Sequence, residues 1–403
     1  MSLTERIPFR TNRREFLVLT GGMLASLLAG IPLGIKFVAE AQALSSKDLI
    51  NPEGDAKESS LASKPAEAPP SLKPEPNDVL SNPTVVPNEV VQIQNPIVEV
   101  QEKNEVTSIA WMPETVKYWS RDIVAISKEH NVDPKLAATV ILCESGGHPY
   151  AISRSGARGL GQIMSTTVPD RNLLVPGKNI EGCVEYLARM NKYFSDWTNA
   201  ITAYNAGPGN VSKGTIPAEG IRYRYWVTGM WKEVAQTDSS VYKEWLAAGG
   251  WILVDRAEKY WRLDPKVRQT VSFACEQLGD QYVLGGEGPD QWDCARLVYF
   301  AYKNAGVNFS GSIAGGKVVA DQWSNCGRIL AEDEERLPGD LVIFNNAGGG
   351  FEHVGMMIYP PACFIEATWT GGRVRVTSLS PNYPPIYRAD LAGRVRGFKR
   401  IIG

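Results

Sequence analysis

Three side chains stand in surroundings that suit chemistry. Glu144 closes an apolar segment running from Leu136 to Leu142, and Ser145-Gly146-Gly147 follows it at once. A carboxyl delivered from an apolar helix into a turn is partly desolvated, which raises its pKa and lets it hold a proton near neutral pH. A glutamate that merely ends a helix has the same local pattern, so these residues alone leave both readings open. Cys294 stands in Trp292-Asp293-Cys294-Ala295-Arg296-Leu297-Val298. If a helix starts there, its unpaired N–H groups and dipole favour the thiolate, although a free cysteine is more often a buried hydrophobe. The histidines are His130, His148 and His353, so His353 is the base available to Cys294 downstream. It lies in the apolar run Phe351-Glu352-His353-Val354-Gly355-Met356-Met357-Ile358-Tyr359, which has strand character. A helix-borne thiol and a strand-borne imidazole make a workable nucleophile and base once a third polar group orients the ring.

The elements that must position these groups are legible around them. Pro113 opens a stripe of Val116, Trp119, Ile123 and Ile126, whose spacing predicts one amphipathic helix. Asp133-Pro134 predicts an N-cap and first-turn proline for the helix ending on Glu144. Asp264-Pro265 repeats the device before Val267, Val271, Ala274, Cys275 and Leu278, in a helix expected to stop at Gly279. Pro338-Gly339-Asp340-Leu341-Val342-Ile343-Phe344 reads as a turn entering a strand, and Cys363-Phe364-Ile365-Glu366-Ala367 begins another. Residues 237–262, with Trp245, Trp251 and Trp261, predict a helical connector packed between domains.

The chain has 403 residues, which at about 150 per domain predicts two to three domains. Its 42 Lys and Arg against 44 Asp and Glu give no global basic field, which argues against nucleic acid as a partner. With Cys294 set aside, Cys143, Cys183, Cys275, Cys326 and Cys363 cannot all pair, and they read mainly as buried thiols, with one or two disulfides open outside the cell. There is no C-x-x-C, and scattered histidines disfavour zinc; no metal or other cofactor is implied. Residues 1–43 read as an export signal or membrane anchor: Arg6, Arg10, Arg13 and Arg14 precede an apolar run from Phe16 to Ile35, and Ala41-Gln42-Ala43 looks like a cleavage site. Either way the rest of the chain is expected outside the cytoplasm. Residues 44–110 read as a disordered Pro-rich linker, since no Phe, Tyr or Trp lies between Phe37 and Trp111. Such a linker spans roughly 45 Å as a coil and up to about 200 Å in polyproline II.

Arg13-Arg14-Glu15-Phe16-Leu17 resembles the twin-arginine export consensus. The stretch from Glu144 to Met164 resembles the soluble lytic transglycosylase pattern E-S-x-x-x-P-x-A-x-S-x-x-G-A-x-G-L-M-Q-x-M, with Gly161 in place of the usual Met. Asn179-Ile180-Glu181-Gly182 and Ala203-Tyr204-Asn205-Ala206-Gly207 match that family's later motifs, and Glu219 with Tyr223 resembles its final E-T-x-x-Y, from which Gly220 departs. The resemblance implies a mostly α, lysozyme-like domain over 111–236, in which Glu144 protonates the glycosidic oxygen between MurNAc and GlcNAc. It also implies that Gln162, Tyr204, Asn205 and Tyr223 line the sugar cleft and that Ser153 helps position the acid or the bound sugar. The lytic route needs no second carboxylate, because the sugar's C6 hydroxyl attacks to give a 1,6-anhydro product. A muramidase route would need one, and Asp170, Glu181 and Glu185 are the candidates.

Residues 263–403 resemble the NlpC/P60 cysteine peptidases through Y-V-x-G-G at Tyr282, D-C-x-x-L at Asp293, P-G-D-L at Pro338 and H-V-G at His353. The fold implied is α+β and papain-like, with Cys294 as nucleophile, His353 as base, Tyr282 flanking the thiolate and Asp293 in the substrate subsite. Ala295 and Arg296 replace the usual Ser-Gly, and Glu366 aligns best with the third catalytic position, where a solvent-facing strand Glu is the alternative. Together the resemblances imply a multidomain, bifunctional peptidoglycan hydrolase like those of some conjugative elements and phages. It would cut glycan strands and stem peptides between D-glutamate and the diamino acid, in association with a secretion or conjugation apparatus. The competing expectation is a wall-binding scaffold of such an apparatus with one or both sites inactive. A third is an amidase or acyltransferase as the C-terminal domain.

Overall fold

Asp133-Pro134 and Asp264-Pro265 each start a helix in the computed structural model, which describes residues 109–233, 239–309 and 318–403. The signal or anchor expected over 1–43, and the linker as far as residue 108, lie outside the described residues. Ile109, at the end of the expected linker, is already buried in the helical core.

The stripe that opens at Pro113 forms two helices rather than one, α1 (Glu114–Lys117) and α2 (Ser120–Glu129). The break falls at Trp119, whose indole Nε1 donates to the Gly147 carbonyl at 3.2 Å. Asp133 caps α3 (Pro134–Ser145), accepting from the Lys135 N–H at 2.8 Å, and Gly146 in the left-handed region ends it. There follow α4 (Pro176–Phe194), α5 (Trp197–Ala206), α6 (Pro208–Lys213) and α7 (Ala218–Lys232). Leu136, Val140, Ile141, Leu160, Ile180 and Val227 make the core on which they pack. The connector continues as α8 (Ser240–Trp245), a π-turn over Leu246–Gly250 and α9 (Trp251–Trp261).

The second half opens with α10 (Pro265–Glu276), capped by Asp264; it ends before Gly279, where the backbone turns to pair with the sheet. Its remaining elements are β1 (Gln281–Tyr282), β2 (Gln291–Trp292), α11 (Cys294–Asn304), α12 (Val318–Asn325), β3 (Arg328–Ile329), β4 (Leu341–Asn345), β5 (Phe351–Tyr359), β6 (Cys363–Thr368), β7 (Arg373–Ser378), α13 (Ala389–Ala392) and β8 (Val395–Arg400). One curled sheet has the order β2-β1-β7-β6-β5-β4-β8-β3, antiparallel except between β1 and β2. Helix α11 lies on it, with Leu297, Val298 and Ala301 in one apolar cluster with Val354, Met356 and Ile365.

Tyr150, Ala151, Ile152 and Leu174 of the helical half belong to that same cluster, so the two halves share apolar core. All six cysteines are free thiols, which leaves none of the disulfides that composition allowed. Among the described residues no helix is long and apolar enough to cross a membrane.

Candidate active sites

Glu144 lies in the last turn of α3, with Cys143, Cys183 on α4, Tyr204 on α5 and Tyr223 on α7 around it. Burial pushes its pKa up to about 8, and the negative charge of Glu219 adds to the rise. The buried Tyr223 hydroxyl faces the carboxyl and offsets part of it, without closing a hydrogen bond of ordinary geometry. The carboxyl therefore keeps its proton at neutral pH. Its environment, rather than its helix-end position, distinguishes it from an ordinary terminal glutamate.

The loop after α3 is held by side chains of the resembling motifs. Asn179 donates to the carbonyls of Arg158 at 2.7 Å and Leu173 at 2.8 Å, and accepts from the Gly161 N–H at 2.7 Å. Gln162 donates to Ala151 and Gly159 carbonyls, each at 3.0 Å, and the Ser153 hydroxyl accepts from the Ala157 N–H at 2.9 Å. These two side chains thus shape the loop. Tyr204 donates to the Gly161 carbonyl at 2.6 Å, and Asn205 is exposed at the end of α5. The Gly161 departure has a neighbour that explains it, since a Cβ there would lie 2.6 Å from the Cys183 Cβ and 3.0 Å from the Tyr204 hydroxyl.

The expected second acids are placed elsewhere. Glu185 makes a two-point ion pair with Arg171, both contacts at 2.9 Å, that holds its carboxyl below the ordinary range; Glu181 lies 3.7 Å from the same guanidinium. Asp170 is an exposed turn residue with φ +66°. The carboxylate whose charge reaches Glu144 is Glu219, which is not among the second acids expected from the sequence. Its signal was available: Glu219 and Tyr223 are four residues apart, on one face of α7.

In the second half, Cys294 is the first residue of α11 and is 9% exposed. Asp293 caps the helix, accepting from the Arg296 N–H at 2.7 Å and the Gly285 N–H at 3.1 Å, and its carboxylate is also paired with the Arg296 guanidinium. Arg296 bonds Glu287 as well, at 3.0 Å.

His353 Nε2 lies 2.6 Å from Glu366 Oε2. Glu366 is not solvent-facing: it is 1% exposed, and its other oxygen accepts from Thr377 at 2.7 Å, Arg375 at 3.1 Å and Arg388 at 3.3 Å. Register explains the Arg375 contact, because Glu366 on β6 stands directly opposite Arg375 on β7. Burial disfavours a charged His353 ring, but the hydrogen bond and charge of Cys294, then those of Glu366, outweigh it and push its pKa up to about 10. Burial also raises the Tyr282 hydroxyl, to about 12, with the charges of Cys294 and Asp293 contributing. The exposed Trp369 meets the Tyr282 ring edge-on at 6.1 Å. Among the described residues no cluster of His, Cys, Asp and Glu is arranged to hold a metal ion.

Both halves match known family models. Residues 123–217 match the transglycosylase SLT domain and residues 279–388 the NlpC/P60 family. The chain joins an SLT domain to an NlpC/P60 domain. The SLT domain is similar to the "Transglycosylase" of Enterobacteria phage PRD1, 34% identical over 24% of this chain and 37% of the phage protein. It is also similar to the "Membrane-bound lytic murein transglycosylase C" of Shigella sonnei, 34% identical over 21% of this chain and 30% of that protein. The "Murein DD-endopeptidase MepH" of Escherichia coli is 33% identical over 27% of this chain and 38% of its own length. The chain thus spans less than two fifths of each relative.

Proposed function

We propose that this protein is a bifunctional peptidoglycan hydrolase, exported by residues 1–43 and working on the wall outside the cytoplasm. One observation carries the reading: burial holds Glu144 protonated in the SLT half, and in the NlpC/P60 half the His353 ring is held between Cys294 and buried Glu366. Glu144 is protonated at neutral pH and is the general acid for the glycosidic oxygen between MurNAc and GlcNAc. Its conjugate base then takes the proton of the sugar's C6 hydroxyl, which closes a 1,6-anhydro ring. The ion pairs of Glu181 and Glu185 with Arg171 support this route over one that activates water through either acid.

At the second site Cys294 stands at the N-terminus of α11 beside the His353 ring, and buried Glu366 orients and charges that ring. The thiolate attacks a stem-peptide carbonyl, the imidazolium gives its proton to the leaving amine, and water releases the thioester. The bond we assign is that between D-glutamate and the diamino acid. Local opening of the wall by two cuts suits a secretion or conjugation apparatus.

Mass spectrometry of purified sacculi digested by the full-length protein, beside Glu144→Gln and Cys294→Ala, tests the reading. Expected are anhydro-muropeptides lost in the first variant and clipped stems lost in the second. Reducing ends instead of anhydro ends would make the SLT domain a muramidase, with Glu219 the first carboxylate to test. Intact sacculi with protein bound would make the chain a wall-binding scaffold.

A further inference from the structure

The turn that follows Glu144 has no slack. A Cβ on Gly146 would lie 2.5 Å from the backbone carbon of Leu253 on α9, and one on Gly147 would lie 2.4 Å from the carbonyl oxygen of Thr115. Thr115 donates to the Gly146 carbonyl at 2.6 Å and Trp119 to that of Gly147 at 3.2 Å. The turn is therefore gripped between α1–α2 on one side and the backbone of α9 on the other. Close-packed interiors transmit displacement, so what holds α9 also holds the turn.

Two side chains tie α9 and this turn to the peptidase sheet. Arg256, one turn beyond Leu253, donates to the Tyr359 hydroxyl at 2.8 Å and lies over that ring at 5.6 Å. His148 is buried, with its ring centroid 5.0 Å from Tyr260 on α9 and 5.2 Å from Tyr359. Its Nδ1 accepts from the Tyr150 N–H at 3.1 Å. Tyr359 is the last residue of β5, the strand that carries His353. A separate strut, from Asn172 to the carbonyls of Cys275 at 2.9 Å and Glu276 at 3.1 Å, joins the SLT half to α10.

We infer that the NlpC/P60 half completes the glycan-cleaving site, with Arg256, Tyr359 and His148 acting as positioning residues that hold the Glu144 turn through α9. The inference rests on the reading of Glu144 as the acid. The groups that face Glu144 are Tyr223 and Glu219 from α7, Cys183 from α4, Tyr204 from α5 and Cys143 beside it; Glu219 is the charged one. None belongs to α9, whose contribution is to keep the turn closed over the carboxyl. Loosening α9 admits water, and the carboxyl then titrates closer to its ordinary range.

The test follows anhydro-end release and stem clipping by the full-length protein across pH. Arg256→Met should lower kcat for glycan cleavage by about tenfold, with little change in KM. It should also move the alkaline limb of that activity acidward by about one pH unit, while stem clipping stays at the wild-type rate. Arg256→Lys, which still reaches the Tyr359 hydroxyl, should restore most of the loss. Tyr359→Phe removes only the hydroxyl and should act in the same direction if Arg256→Met fails to fold. Glycan kcat and pH limb unmoved in Arg256→Met and Tyr359→Phe would overturn the inference alone. A wild-type protein that releases no glycan product would overturn it together with the reading of Glu144.

Discussion

Glu366 is buried and Glu144 partly so, yet their surroundings set opposite charges. Four donors surround Glu366 and hold its carboxyl below the ordinary range despite burial, so it stays ionised under His353. Glu366→Gln keeps the shape and removes the charge. Stem clipping should fall by about a hundredfold, and its alkaline limb, set by the His353 imidazolium, should move to lower pH. An unchanged pH profile would show that Glu366 does not act on the ring. Glu144 has little to offset its burial, and its raised pKa is a stability statement. A carboxyl that titrates near 4.5 unfolded and about 8 folded adds stability fully present below pH 4.5 and lost as pH rises toward 8. Glu144→Gln should therefore be more stable than the wild type at pH 7, by on the order of 3 kcal/mol, and equal to it near pH 4. Thermal melts at the two pH values check this.

Among the elements, α4 and the loop ahead of it show how a departure from a family pattern is accommodated. Gly161 lacks the side chain that its motif usually has, and Cys183 on α4 occupies the space. Gly161→Met should overpack the site, at a cost of about 1–3 kcal/mol. Adding Cys183→Ala should recover part of that loss in a double-mutant cycle, because the two positions compete for one volume. Strict additivity would show that they do not. Local signals located α3, α10 and α11 well, since each starts at an aspartate that accepts from the helix's first N–H groups. They did not reveal the break between α1 and α2, because Trp119 is drawn out of the helical stripe by a carbonyl 28 residues away.

For the whole molecule, the shared cluster joining Tyr150, Ala151, Ile152 and Leu174 to α11 argues that the SLT and NlpC/P60 halves unfold together. Calorimetry of the full-length protein should show one transition for both. Tyr150→Ala, which empties a fully buried aromatic site at the junction, should cost about 3–5 kcal/mol and split that transition in two. Two transitions in the wild type would mean that the cluster holds the halves side by side without coupling their stability.

The amino-acid sequence by itself determined the order of the domains, the helix that delivers Glu144, the helix start at Cys294, the strand of His353 and the residue types that make two chemistries available. Those features depend on caps, periodicity and motif order, which act within a few residues along the chain. Only the tertiary structure decided that Glu366 is buried under His353, that Glu219 rather than Glu181 or Glu185 acts on Glu144, that Asp293 is paired with Arg296, and that His148 is wedged against Tyr359. Each of those depends on which side chains close packing brings together from distant segments, and on the water it expels between them, which no local pattern encodes.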